Sequence, residues 1–177
     1  MSDQNAGTPR VFIARHGETE WTINGLCTGK SEIPLTANGR RQVQGTQDVL
    51  VGAGKLMDPA KFAHIFVSPR QRAQSTLDLL IGSEKERLQQ ADKITTTEDI
   101  AEWDYGNYEG LHPNDIRAYR KEKGLDKDKS WDIWVDGCEG GESAEDVRIR
   151  LDRLIKEINT LQEPFLSNGG AGDVLLV

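Results

Sequence analysis

The sequence has little cysteine, little histidine and no long apolar run, and each shortage excludes a class of protein. Its 177 residues contain two cysteines, too few for a disulfide framework, so we expect a reducing compartment. No apolar stretch approaches the roughly 20 residues that cross a bilayer. The first residues also lack the basic and apolar regions of a secretory signal. These shortages favour a cytoplasmic globular protein.

Basic residues are outnumbered, since 22 Lys and Arg stand against 29 Asp and Glu, giving a net charge of −7. A chain without a basic stripe cannot neutralise a run of phosphates, so neither nucleic acid nor an anionic membrane is expected as a partner. A small phosphorylated metabolite remains compatible, because a few arginines in one pocket can hold it. No Asp/His cluster has metal-ligand spacing, so we expect no metal and no other cofactor. Homo-oligomer formation stays open.

Strand-like and helix-like segments alternate along the chain. Apolar runs predict buried strands over 11–14, 63–67 and 174–177, with a shorter β-rich run over 94–97. Helices are predicted over 36–51, from 70, over 113–119 and from 143 onward. This alternation predicts an α/β fold with a mostly parallel sheet flanked by helices on both faces. A flexible segment, 1–9, is expected before a single domain over 10–177.

Two helix starts and one helix face can be predicted in detail. Thr36 is expected to cap the helix that follows it. Ser143 and Asp146 form an acidic variant of the capping box at the start of the last helix. The apolar spacing of that helix predicts a core face made of Val147, Leu151, Leu154, Ile155 and Ile158.

The most informative residues are Arg15, His16 and Gly17, which follow the first predicted strand. Side chains at the carboxyl end of a strand in an α/β sheet converge on a crevice where ligands bind. A guanidinium clamps phosphate oxygens, and a neutral imidazole can attack phosphorus while its other nitrogen donates to an acceptor. Gly17 has no Cβ, so the backbone can approach an anion closely. Taken alone, three such residues also meet by chance in a loop.

Five segments, in order, resemble the histidine phosphatase superfamily, also called the phosphoglycerate mutase-like superfamily. They are 13–21 around Arg15-His16-Gly17, Thr28-Gly29 with 34–39, 68–76, 101–110 and 140–143. The resemblance covers nearly the whole chain and implies the α/β fold of that superfamily. It further implies a histidine phosphatase domain that hydrolyses a phosphomonoester through a phosphohistidine at His16, without a metal.

The resemblance also implies a role for each remaining catalytic candidate. Arg15 and Arg70 bind the phosphate, and Glu102 protonates the leaving group and then deprotonates the attacking water. Arg72 is interpreted as mostly structural. Without the resemblance, Arg70 would be interpreted as a solvated helix-start residue and Glu102 as a surface carboxylate.

Within the superfamily the chain is most similar to the fungal branch that hydrolyses sedoheptulose 1,7-bisphosphate, a sugar bisphosphate of non-oxidative pentose metabolism. The similarity lies in segments 102–106, 123–127 and 131–139. It implies that a small phosphorylated sugar is contacted by Thr28, Gly29, Arg70, Glu102, Trp103, Asp104 and Tyr105.

The superfamily pattern continues past the last predicted strand to a second active-site histidine, whereas this sequence ends at Val177. His64 and His112 do not fit that position, so we expect that the domain is C-terminally incomplete. Two alternatives stay open. One is a phosphoglycerate mutase-type phosphotransferase, which retains the phosphoryl group for retransfer. The other is a noncatalytic phosphate-ligand-binding protein.

Overall fold

The structure, a computed structural model, describes residues 7–167 and 172–177 and contains a four-stranded parallel sheet in that part of the chain. The strands are β1 (Val11–Ile13), β2 (Phe62–Val67), β3 (Ile94–Thr96) and β4 (Asp173–Leu176), in the order β1-β4-β2-β3. Val174 of β4 lies opposite Val11 on one side and His64 on the other. The parallel sheet confirms the predicted α/β class. Residues 1–6 of the predicted flexible segment lie outside the described residues.

Seven α-helices occur among the described residues. They are α1 (Glu20–Asn24), α2 (Ala37–Leu50), α3 (Gln71–Ile81), α4 (Glu84–Gln90), α5 (Pro113–Glu122), α6 (Ile133–Asp136) and α7 (Ala144–Leu166). Thr36 caps α2 by accepting a hydrogen bond from the Gly39 amide at 2.9 Å, and Ser143 and Asp146 form the predicted capping box of α7. In this part of the chain, no helix is long and apolar enough to cross a membrane.

Helices cover both faces of the sheet, as predicted. One face buries apolar side chains of α2, α3, β2 and β4, among them Val43, Leu77, Leu80, Ile65 and Leu175. The other buries apolar side chains of α7 and the same two strands, namely Leu154, Ile158, Phe66, Val174 and Leu176. Successive strand residues alternate between these faces because the side-chain period of a strand is two. Each such side chain contributes about 1.5–3 kcal/mol when fully buried.

The core face of α7 differs from the prediction at one position. Val147, Leu154 and Ile158 are buried, and Leu151 packs partly against the core. The prediction for Ile155 is wrong, because its side chain is 53% exposed. Ile155 lies about 100° around the helix from Leu154, which places it on the flank of the buried stripe.

The edge strand β1 is incompletely covered on the face that carries α7. Ile13 is 79% exposed and Val11 is 44% exposed, although both are paired with buried residues of β4, Leu176 and Val174. The helix therefore covers the central strands and leaves these two side chains open to solvent.

The segment between β3 and α7 packs against Val147 of α7 and forms a third apolar cluster with it, around Trp103, Tyr108, Ile116 and Cys138. Arg120 of α5 secures it, since its guanidinium donates to the Tyr108 hydroxyl at 2.8 Å and pairs with Asp126 at 2.7 Å. This cluster holds the 101–110 segment beside the carboxyl edge of the sheet.

Candidate active site

A cleft of about 360 Å³ lies at the carboxyl edge of the sheet. Because the strands are parallel, their carboxyl ends meet at one edge, and the segments that follow β1, β2 and β3 all reach this cleft. The predicted site residues that line it are Arg15, His16, Arg70, Glu102 and Trp103. The structure thus brings together the residues to which the sequence assigned catalysis, and their roles stay predictions.

The imidazole of His16 is held in one tautomer. Its Nδ1 lies 2.8 Å from the backbone carbonyl oxygen of Gly17. A carbonyl can only accept, so Nδ1 carries the hydrogen and Nε2 keeps its lone pair. This is the arrangement that the sequence predicted for a nucleophilic histidine.

The electrostatic environment favours the neutral form of His16. Burial is the largest influence and lowers the pKa of the imidazole, while the hydrogen bond to Gly17 raises it. The positive charges of Arg72 and Arg15 lower the pKa further, and the carboxylate of Glu102 raises it. The net result is a pKa below the ordinary value, which keeps Nε2 unprotonated at neutral pH.

Gly17 is required by the close approach of two chain segments. A Cβ added there would lie 2.5 Å from the carbonyl oxygen of Gly39 in α2, closer than any real contact. The Gly17 amide donates to the Thr76 hydroxyl at 3.2 Å, and that hydroxyl donates to the Arg72 carbonyl at 2.8 Å. The loop that carries His16 is therefore fixed to both α2 and α3.

Arg15 offers an exposed cation at the mouth of the cleft. Its guanidinium has no hydrogen bond or ion pair with the described residues, although it lines both the cleft and a neighbouring recess beside His16. All five of its N–H groups are free to bind an anion.

Arg70 lines the cleft but is engaged by carboxylates. Its guanidinium lies 2.5 Å from a Glu98 oxygen and 3.7 Å from a Glu32 oxygen. Its role as the second phosphate clamp stays a prediction, and it requires that Arg70 leave Glu98.

Arg72, interpreted from the sequence as mostly structural, also lines the cleft. Its side chain is almost fully buried, at 2% exposure. Three N–H groups donate to backbone carbonyls at 2.9–3.0 Å, those of Thr28, Gly29 and Ser31. A guanidinium has five N–H groups, so two remain for a ligand. The sequence held one sign of this burial. Arg72 is four residues before Thr76 and therefore lies on the same face of α3, the face that is buried.

Thr28 and Gly29 lie behind Arg72 and are not among the residues that line the cleft. The Thr28 hydroxyl donates to the Leu26 carbonyl at 3.0 Å. The Gly29 amide donates to the Glu109 carboxylate, and an added Cβ at Gly29 would collide with the Trp103 carbonyl oxygen. Their role as substrate contacts stays a prediction, while the structure gives both residues internal contacts.

The 102–105 segment divides between the cleft and the interior. Glu102 is exposed in the cleft, with its carboxylate accepting from the Trp103 amide at 2.8 Å. Trp103 is fixed by a hydrogen bond from its Nε1 to the Glu142 carbonyl at 2.9 Å. Asp104 pairs with Lys30 at 2.5 Å in a recess adjoining the cleft. Tyr105 packs into the third apolar cluster, where burial raises the pKa of its hydroxyl.

Trp134 of α6 forms part of the cleft wall. Its side chain is 70% exposed, and its ring meets that of Trp103 edge to face at 5.3 Å between centroids. The cleft therefore has an aromatic wall in addition to its cationic end.

The other two histidines have structural contacts away from the cleft. His64 Nε2 lies 2.8 Å from the Thr95 hydroxyl within the sheet, and His112 Nδ1 accepts from the Asn114 amide at the start of α5. Among the described residues, no group of three or more His, Cys, Asp or Glu side chains is arranged to hold a metal ion.

Comparison with known proteins gives a family match. A family profile described as "Histidine phosphatase superfamily (branch 1)" matches residues 11–171. Sedoheptulose 1,7-bisphosphatase of Saccharomyces cerevisiae is 38% identical over 169 residues, which are 96% of this chain and 62% of the yeast protein. An acid phosphatase of Mycobacterium tuberculosis is 35% identical over 164 residues, 90% of this chain and 70% of that protein. A 2,3-bisphosphoglycerate-dependent phosphoglycerate mutase of Xanthobacter autotrophicus is 33% identical over 152 residues, 84% of this chain and 67% of that protein.

Solved structures show the same fold. The structure of an open reading frame of Mycobacterium tuberculosis has a TM-score of 0.70 and 31% identity, and the match covers 96% of this chain and 72% of the other. An α-ribazole phosphatase of Shigella flexneri matches with a TM-score of 0.71 and 24% identity, over 95% of this chain and 72% of the other. The chain spans less than two thirds of the yeast relative's length.

Proposed function

Because the chain belongs to the histidine phosphatase superfamily, we propose that it hydrolyses phosphomonoesters through a phosphohistidine at His16. The geometry of His16 carries this proposal. Its Nδ1 hydrogen is committed to the Gly17 carbonyl, and the imidazole lines a cleft beside Arg15 and Arg72. A neutral nucleophile in the same cleft as two cations suits a dianionic phosphate.

The reaction proceeds in two displacements. Nε2 of His16 attacks phosphorus, the bond to the leaving oxygen breaks, and Glu102 supplies the proton that this oxygen needs. The Glu102 carboxylate then takes a proton from water, whose oxygen attacks phosphorus and releases His16. Arg15 and Arg72 stabilise the charge on the transferring group in both steps, and Arg70 joins them once it leaves Glu98.

We propose a small phosphorylated sugar as the substrate, with sedoheptulose 1,7-bisphosphate first among the candidates. The name and similarity of the yeast relative support this choice. A second recess adjoins the cleft and contains Lys30 and Arg70, but these cations are paired with Asp104 and Glu98, so a second anionic group would have to displace those carboxylates.

A phosphoglycerate mutase is the second candidate, and relatives with that name support it. The chemistry of the first displacement is the same in both cases. The difference lies in whether water or an acceptor hydroxyl takes the phosphoryl group from His16.

The test measures phosphate release from sedoheptulose 1,7-bisphosphate, fructose 1,6-bisphosphate and 3-phosphoglycerate. We expect release that is abolished in His16→Ala and retained in His64→Gln, a matched histidine remote from the cleft. Conversion of 3-phosphoglycerate to 2-phosphoglycerate without net release would favour the mutase. Binding of inorganic phosphate without turnover of any substrate would favour a noncatalytic binding protein.

A further inference from the structure

The backbone of the loop 28–31 is bound by one cationic and one anionic side chain. Its carbonyl groups at Thr28, Gly29 and Ser31 accept hydrogen bonds from the Arg72 guanidinium. Its amide groups at Gly29 and Ser31 donate to the carboxylate of Glu109 at 2.9–3.0 Å. A cation that binds carbonyls and an anion that binds amides together fix the position of this short stretch of backbone.

Glu109 lies in the same segment, 101–110, as the proposed proton donor Glu102. Just before the loop, Cys27 is joined to the end of this segment by main-chain hydrogen bonds, from the Cys27 amide to the Leu111 carbonyl and from the Gly110 amide to the Cys27 carbonyl, both at 2.9 Å. Gly29 approaches the Trp103 carbonyl so closely that no side chain fits between them. The loop is therefore the physical connection between the segment that carries Glu102 and the arginine beside His16.

The position of Arg72 depends on this loop. Three of its five N–H groups bind the loop carbonyls, and those bonds set the direction in which the remaining two point. If the loop moves, the guanidinium either follows it or loses hydrogen bonds in a buried place. Both outcomes change the geometry that the cleft presents to a phosphate.

We propose that Glu109 is a positioning residue of the active site, which holds the loop 28–31 so that Arg72 and Glu102 keep a fixed geometry around His16. This inference rests on the proposed function and adds to it a residue that does not line the cleft itself. A purely structural role would affect stability alone, whereas a positioning role also affects catalysis and the protonation of His16.

The test compares Glu109→Gln with a matched control, Asp58→Asn. The Gly29 amide donates to both carboxylate oxygens of Glu109, so the glutamine sets its NH2 group against that amide whichever way its side chain is turned. Asp58 likewise accepts two backbone amides, from Gly54 at 3.1 Å and Ala60 at 3.0 Å. It precedes the amino end of β2, at the edge of the sheet opposite the cleft.

We expect kcat/KM to fall roughly 10- to 100-fold in Glu109→Gln, as small misplacements of catalytic groups do, and to stay unchanged in Asp58→Asn. The second measurement is a proton NMR titration of His16, which needs no turnover. The groups around this imidazole include the charges of Arg15, Arg72 and Glu102 and the Gly17 carbonyl, and Arg70 lines the same cleft. Moving Arg72 away from His16 raises the pKa of this imidazole, whereas the lost charge of Glu109 lowers it. The titration is therefore also made with Glu109→Asp, which keeps the charge and for which we expect an upward shift of a few tenths of a pH unit.

The outcomes separate the inference from the proposed function. An active wild type whose kcat/KM is unaffected by Glu109→Gln and whose His16 titration is unaffected by Glu109→Asp overturns the positioning role. A wild type that turns over no sugar phosphate contradicts the proposed function, and the titration still decides the inference. If Glu109→Gln does not fold, Glu109→Asp takes its place, since its shorter side chain keeps the charge but cannot reach both amides.

Discussion

The contrast between Arg72 and Arg70 yields the sharpest stability prediction. Replacing Arg72 with alanine removes three charge-assisted hydrogen bonds to backbone carbonyls. Replacing Arg70 removes an ion pair with Glu98, whose side chain is 65% exposed. Both arginines line the cleft, but only Arg72 holds the backbone together.

The magnitudes follow from the surroundings of the two side chains. A hydrogen bond to a charged group contributes about 1.5–3 kcal/mol. Water can enter the space that Arg72 leaves and pair with some of the carbonyls, so we expect Arg72→Ala to lower the free energy of unfolding by about 3–5 kcal/mol. The ion pair joins an Arg70 side chain that is 13% exposed to a Glu98 side chain that is 65% exposed, so water screens it in part and we expect Arg70→Ala to lose about 1 kcal/mol.

Urea unfolding followed by tryptophan fluorescence measures both losses. With an m value of about 2 kcal/mol/M, the unfolding midpoint of Arg72→Ala falls by about 2 M and that of Arg70→Ala by about 0.5 M. Equal midpoints for the two variants would refute the reasoning. A parallel titration with inorganic phosphate compares Arg72→Lys with Arg70→Lys. We expect the larger loss of affinity for Arg72→Lys, because lysine keeps the charge but lacks the planar fork.

Three further predictions concern the nucleophile, the loop and the cleft wall. Burial lowers the pKa of His16 below about 6.5, the ordinary value for histidine. Because only the neutral imidazole attacks, kcat/KM should fall as the pH drops through this lowered pKa. A pH–rate profile whose acidic limb is centred above about pH 6.5 contradicts this expectation. Gly29→Ala should cost about 1–3 kcal/mol in urea unfolding because its methyl group meets the Trp103 carbonyl. Gly45 lies within α2, where an added methyl group meets no other atom, so Gly45→Ala should instead raise the free energy of unfolding by about 0.5–1 kcal/mol. Equal changes in stability for Gly29→Ala and Gly45→Ala would contradict the packing argument. Sugar phosphate should protect the exposed Trp134 from acrylamide quenching, and unchanged quenching in the bound state removes this residue from the ligand's surroundings.

Much of the fold could be predicted because its signals are local. The strands are short apolar runs between turn residues, and the caps Thr36 and Ser143 mark the starts of two long helices. The helices α1 and α6 could not be predicted in the same way. They are five and four residues long and are started by the side chains of Thr19 and Asp132, so no apolar period reveals them. Ile155 was misplaced because an apolar residue on the flank of a helix stripe resembles one at its centre.

The site shows the same division between local and distant information. His16 and its tautomer followed from a strand ending in Arg-His-Gly, because the acceptor for Nδ1 is the carbonyl of the next residue. The importance of Arg72 depends on carbonyls about forty positions away in the chain. Such long-range contacts leave no trace in the spacing of neighbouring residues. The one available sign was a charged residue on a helix face that is otherwise buried.

The net charge of −7 gave no guide to the charge of the cleft, and the ion pairs explain why. Three carboxylates near the cleft are each held by a cation, in the pairs Glu98 with Arg70, Glu142 with Arg150 and Asp104 with Lys30, whereas Glu102 lines the cleft without an ion pair among the described residues. These pairs are locally neutral. Arg15 has no such partner among the described residues, and the hydrogen bonds of Arg72 are donated to uncharged backbone carbonyls. Both therefore keep their full positive charge for a ligand. An acidic chain can present a cationic site because charge acts over a few ångströms in a partly buried cleft and is screened beyond about 8–10 Å in salt.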